Sequence, residues 1–173
     1  ENVYRESEDP FGTALKNINL EVKSGEILGI GGVSGNGQEE LMTTLSGELA
    51  PRKGKIVFEG SEINFMNAEE RRCIGIFSAP EERLGHAACP NMRLSENVLI
   101  TCSKTANLTN FGMIQKDLSE SLTKKIISEF DVKTSSSESV ASSLSGGNLQ
   151  KFVVGRELLQ KPKLLIINQP TWG

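Results

Sequence analysis

The stretch Glu26-Ile27-Leu28-Gly29-Ile30-Gly31-Gly32-Val33-Ser34-Gly35-Asn36-Gly37-Gln38-Glu39-Glu40-Leu41 runs from an apolar segment into a glycine-rich loop and on into a segment of helical character. Strand, glycine loop, helix is the order in which backbone N–H groups can surround a phosphate, and the loop Gly32-Val33-Ser34-Gly35-Asn36-Gly37 has the glycines that tight curvature and close approach require. A phosphate loop of full strength continues with Lys and then Ser or Thr, an ammonium for phosphate charge and a hydroxyl for magnesium. Here those positions hold Gln38 and Glu39. Gln38 can donate hydrogen bonds but carries no charge. Glu39 sets a carboxylate near any phosphate, a repulsion of about 4 kcal/mol at ~4 Å with an effective dielectric of ~20. Glu39 and Glu40 also suit the first turn of a helix by complementing its dipole. Two readings therefore stand side by side, a structural turn that keeps only the shape of a phosphate loop and a weak nucleotide site.

Working outward, Ile18, Leu20 and Val22 alternate with polar residues and predict a half-buried strand over 15–22, with a second at 54–58. Ile27-Leu28-Gly29-Ile30, Ile74-Gly75-Ile76-Phe77 and Leu164-Leu165-Ile166-Ile167 are continuously apolar, as strands of a parallel sheet buried on both faces are. Between 81 and 160 the spacing turns helical, with Leu118, Leu122, Ile126 and Phe130, then Leu149, Phe152, Val153 and Leu159. The serine-rich segment 134–143 reads as a loop.

That loop leads into Leu144-Ser145-Gly146-Gly147-Asn148-Leu149-Gln150-Lys151. A serine able to cap a helix, two glycines and an apolar stripe behind them make an anion-compatible helix start or, more plainly, a capped helix. After the apolar run 164–167 come Asn168 and Gln169, amides that cannot act as a general base or give a metal negative charge.

With GGVSGNG at 31–37 and KLLIINQPTWG at 163–173, LSGGNLQK resembles the signature loop of ATP-binding cassette (ABC) transporter ATPases. EILGIGGVSGNGQEEL, APEERLG at 79–85, LSENVLI at 94–100 and NQPTWG resemble, more narrowly, the second cassette of double-cassette ATPases that import simple sugars and nucleosides. The resemblance implies an α/β fold of the P-loop NTPase ABC type, a mostly parallel sheet with a small antiparallel β subdomain and an inserted helical subdomain. It implies one partial domain over 1–173, with 1–80 and 161–173 as the nucleotide-binding core and 81–160 as the helical signature subdomain. The chain ends where the family normally continues, which predicts a C-terminally shortened piece with an exposed sheet edge.

In the family, the residues at 168 and 169 are Asp and Glu, which hold magnesium and polarise water. Their replacement and the missing lysine imply that this chain's own site does not hydrolyse ATP and binds it weakly or not at all. The signature Leu144, Ser145, Gly146, Gly147 and Asn148, with Gln150, is expected to contact the ATP and Mg2+ held by a different cassette. Phe11 falls where the family stacks an aromatic on adenine, and equally suits a core or edge position. Glu81 falls at the Q-loop, a candidate for a magnesium or water contact. The implied partners are a first cassette in the same or another chain, transmembrane permease subunits and, indirectly, a solute-binding protein, at the cytoplasmic face of the membrane. A soluble ABC-type regulator or scaffold is the alternative.

Composition agrees with a folded domain. The 173 residues are 37% hydrophobic and 24% charged, enough for one core. A net charge of -3 is the wrong sign for a nucleic-acid face. No run nears the roughly 20 apolar residues that span a bilayer. The 3 cysteines, widely spaced, fit neither a disulfide framework nor a zinc site and are read as reduced thiols. His86, the sole histidine, matches no catalytic arrangement.

Overall fold

The structure, a computed structural model, describes residues 1–7 and 12–170. The chain divides into two compact units, Glu1–Ile74 and Gly75–Gly173.

In the first unit, β1 (Val3–Arg5) pairs antiparallel with β2 (Leu15–Ile18), Val3 opposite Ile18 and Arg5 opposite Leu15. Val3, Arg5 and Leu15 point inward, so one face of the ribbon is buried. The glycine loop opens α1 (Gln38–Ser46), and β3 (Val57–Phe58) and β4 (Ser61–Glu62) form a hairpin. The short helix α2 (Ala68–Cys73) starts from a capping box: Asn67 Oδ1 accepts from Glu70 N (3.0 Å) and Glu70 Oε2 from Asn67 N (2.8 Å).

Arg71 of α2 has no exposed surface, and all five of its N–H bonds go to backbone carbonyls. Nη1 reaches Thr44 O and Leu45 O (2.8 Å each), Nη2 reaches Ile63 O (2.8 Å) and Asn64 O (3.5 Å), and Nε reaches Met66 O (3.1 Å). Thr44 and Leu45 lie in the last turn of α1, where carbonyls lack intrahelical partners and carry the negative end of the helix dipole. The buried cation thus sits against aligned dipoles, although desolvation still lowers its pKa below the usual arginine value. Gly47 ends α1 at φ 87, and a Cβ there would come 2.8 Å from Arg71 Cδ, so conformation and space both require glycine.

In the second unit, β5 (Ile76–Ala79) and β8 (Leu164–Ile167) pair in parallel, Ile76 opposite Leu164 through Ala79 opposite Ile167. Between them run α3 (Leu94–Cys102), a hairpin of β6 (Thr109–Asn110) and β7 (Met113–Ile114), α4 (Lys116–Glu129), a 3-10 turn Ala141–Ser143 and α5 (Gly146–Leu158). α4 packs on α3 and α5, and α5 packs on β5. Leu94, Val98, Leu108, Ile126, Leu149, Phe152 and Val153 form the core between these elements. The serine-rich segment is a loop as expected, but a pinned one: Ser139 O and Ser137 O accept from Leu94 N (2.9 Å) and Ser95 N (3.1 Å), and Glu138 pairs with Arg93 (2.7 Å).

The α/β organisation, the parallel character of the two apolar strands and the helical character of the middle stretch agree with the sequence reading, the first strand running over 76–79 instead of the expected 74–77. Four local expectations do not hold. Residues 27–30 form no strand, and Ile27 is 98% exposed. A buried strand needs ladder partners on both edges, and no described strand lies beside this run; Glu26 N donates only to the turn at Lys23 O (3.0 Å). The strand expected over 15–22 stops at Ile18, leaving Leu20 and Val22 exposed, and the one at 54–58 shrinks to Val57–Phe58. In α4 the buried face is Ser119, Thr123 and Ile126, with Leu118 turned to solvent.

Candidate functional site

Ser145 is the N-cap of α5 by backbone conformation (φ -63, ψ 155), but its hydroxyl makes no capping bond. It accepts instead from Asn148 Nδ2 (2.9 Å), while Asn148 Oδ1 accepts from the backbone N–H of Lys133 (2.8 Å). A backbone N–H can only donate, so the Asn148 amide has one possible orientation. Ser145 Oγ therefore receives a hydrogen bond and keeps its own proton to give away. The Ser145 carbonyl is already used by Leu149 N (2.9 Å). What remains at this helix start is the hydroxyl proton and the uncapped N–H groups of the first turn, on the exposed residues Ser145, Gly146 and Gly147. Asp131, beside Lys133, is held below the usual carboxylate pKa by the hydrogen bond and charge of Lys133 and, more weakly, by Lys151. Those contacts fix the loop that carries the Lys133 amide.

Arg83 lies against the same helix start: a Cβ added to Gly146 would come 2.6 Å from Arg83 Nη1. No carboxylate among the described residues pairs with this guanidinium. A cation at the positive end of a helix is repelled by it, and an anion placed between them would satisfy both. Arg83 stands in the run Pro80-Glu81-Glu82-Arg83, and its charge at the edge of a glycine turn is the signal by which sequence alone could have found it. Leu144 is half-buried. Gln150, grouped with the signature in the sequence reading, is only 8% exposed and does not share that outward surface.

At the carboxyl ends of the parallel strands, where open α/β sheets hold ligands, Asn168 N donates to Ala79 O (3.0 Å) and Asn168 Nδ2 faces Glu81 Oε2 at 3.5 Å. The two residues come together from separate motifs, an amide facing a carboxylate. Gln169 follows in the left-handed region, φ 48.

In the first unit the glycine loop turns at Ser34-Gly35 and reaches α1 through Gly37 at φ 102. Thr13 braces it, its hydroxyl donating to Gly35 O (2.7 Å) and its N–H to Glu40 Oε1 (2.9 Å). Glu40 is thus engaged within the fold, whereas Glu39 is exposed. Gly32, Val33, Ser34, Gly35 and Asn36 are all exposed, and the half-buried Gln38 folds back over them. Phe11 lies outside the described residues.

A glycine loop that opens a helix, paired amides after a parallel strand and a glycine-rich helix start define a nucleotide-binding cassette of the ABC class. The family model for ABC transporters matches residues 15–172, and the chain belongs to that family. It is 35% identical over 159 residues to the guanosine import ATP-binding protein NupO of Bacillus subtilis (strain 168), covering 92% of this chain and 31% of that protein. It is 33% identical over 163 residues to the ribose import ATP-binding protein RbsA of Clostridium tetani (strain Massachusetts / E88), covering 94% and 32%. The chain spans about a third of the length of these curated relatives. Among solved structures, the ATP-binding cassette MJ0796, a dimer in a post-hydrolysis state bound to ADP and Pi, superposes with a TM-score of 0.76 at 20% identity over 99% of this chain and 73% of that one. No helix of the described residues is long and apolar enough to cross a membrane.

Proposed function

We propose that this chain is part of the ATP-binding component of an importer for nucleosides or simple sugars, and that it completes a nucleotide site on another cassette instead of hydrolysing ATP at its own. The observation that carries the reading is the contrast between the two loops. At the start of α5, a serine proton, uncapped amides and Arg83 all present donors outward, which suits the terminal phosphate of a nucleotide brought from outside. At residues 31–39, the positions for a phosphate-binding ammonium and a magnesium-binding hydroxyl hold Gln38 and Glu39, and the hydrolytic positions hold Asn168 and Gln169. The chain's own residues thus fit a phosphate at the signature and fit it poorly at the glycine loop.

On this reading residues 1–80 and 161–173 serve as the nucleotide core, and 81–160, the helical part, relays closure to permease subunits. The other cassette supplies ATP with its Mg2+, and a solute-binding protein acts through the permease at the cytoplasmic face of the membrane. The names of the nucleoside and ribose import relatives support the substrate class.

The test is ATP turnover by the complete importer. Ser145→Arg removes the hydroxyl donor and fills the surface, and should lower turnover about 100-fold, the range for loss of one donor to a developing oxyanion. An unchanged rate in a folded Ser145→Arg importer sinks the proposal.

A further inference from the structure

We infer that Gln38 is an internal latch on the glycine loop, its side-chain amide occupying the loop interior and excluding phosphate. The inference rests on reading residues 31–39 as this chain's own weakened nucleotide loop, and supplies the physical device behind the weakness. Gln38 Oε1 accepts from Asn36 N (3.2 Å), and Gln38 Nε2 donates to Val33 O (3.1 Å). Asn36 N also donates to Val33 O (3.3 Å). One primary amide therefore answers both a loop donor and a loop acceptor. Its Nε2 lies so close to Gly32 that a Cβ there would be 2.5 Å from it, which makes Gly32 part of the latch seat.

A phosphate-binding loop needs its N–H groups turned to the anion. Here the Asn36 N–H is committed to two oxygens, and the Val33 carbonyl, engaged by Nε2, would repel a phosphate oxygen if the amide left. Thr13 holds the Gly35 carbonyl from the other side, so the loop keeps its shape while the latch moves. Gln38 is the first residue of α1, so release needs only side-chain rotation, with no change in the helix. Two neutral hydrogen bonds made at each other's expense with a ligand correspond to about a tenfold change in affinity.

Hydrogen exchange of the full polypeptide, followed on the peptide spanning residues 31–41 and titrated with inorganic pyrophosphate, reads this loop apart from any other cassette. In Gln38→Ala the peptide should exchange about tenfold faster without pyrophosphate, and should become protected at about a tenfold lower pyrophosphate concentration. Gln38→Met, which fills the volume without the bonds, should match Gln38→Ala, and separates the latch from any fraying of α1. Unchanged exchange in both variants overturns the latch, as does faster exchange with no gain in pyrophosphate protection. If pyrophosphate protects neither the unaltered protein nor the variants, the reading of 31–39 as a nucleotide loop falls with it, while the Ser145→Arg result is unaffected.

Discussion

Replacing Arg71 with leucine is expected to lower the stability of the Glu1–Ile74 unit by about 4 kcal/mol or more. Leucine fills part of the volume but takes the donors from the carbonyls of Thr44, Leu45, Asn64 and Met66, while Ile63 O keeps the Met66 N–H (3.1 Å). A buried polar group stranded in this way costs about 1–3 kcal/mol, so the carbonyls of Thr44 and Leu45 at the end of α1 alone account for the figure. Lysine should do little better. Its three donors radiate from one atom, whereas the carbonyls are spread around a planar fork. Urea denaturation of the full chain would check this. A loss under about 1 kcal/mol for Arg71→Leu would mean the carbonyls find water, and the clamp on the end of α1 is incidental.

Phe152→Ala should cost about 3–5 kcal/mol, the transfer free energy of the ring plus the cavity it leaves. Phe152 is fully buried on α5 between Leu149 and Val153, in the core shared with Leu94, Val98 and Ile126. The same helix begins at the exposed Ser145-Gly146-Gly147 surface, so the ring anchors the element that aims it. Phe152→Leu, which keeps most of the volume, should cost less than about 1.5 kcal/mol. Thermal unfolding of the two variants separates the alternatives: equal small losses would show that α5 is held by its neighbours rather than by this side chain.

Most of the second unit was legible because its signals are local. Continuous apolar runs mark 74–77, two residues ahead of the strand that forms at 76–79, and 164–167, and the glycine pair after Ser145 marks the start of α5. The apolar run 27–30 carries the same signal without the outcome, since a run records what a residue prefers and not whether another strand lies alongside. Arg71 was illegible for a related reason. Glu69-Glu70-Arg71-Arg72 reads as a solvated charged face, and only the meeting of α2 with the end of α1 decides which of the four turns inward. α2 itself is too short to show periodicity, although the Asn67–Glu70 capping box marks its start. The outward proton of Ser145 depends on Lys133, a residue whose backbone contributes and whose side-chain identity says nothing. The pairing of Glu81 with Asn168 joins motifs far apart in sequence, and Arg83 acquires its place only when its loop meets α5.

The Lys133–Asn148–Ser145 chain of hydrogen bonds makes the exposed start of α5 a surface of one polarity. Each link passes its acceptor inward and leaves a hydrogen facing out, beside the uncapped amides of the first turn and the guanidinium of Arg83 next to Gly146. Such a face favours ligands that present unshielded oxygens. On the proposed reading, a nucleotide that loses its terminal phosphate would lose the oxygens this surface meets, so the contact would weaken as the partner's ATP is spent.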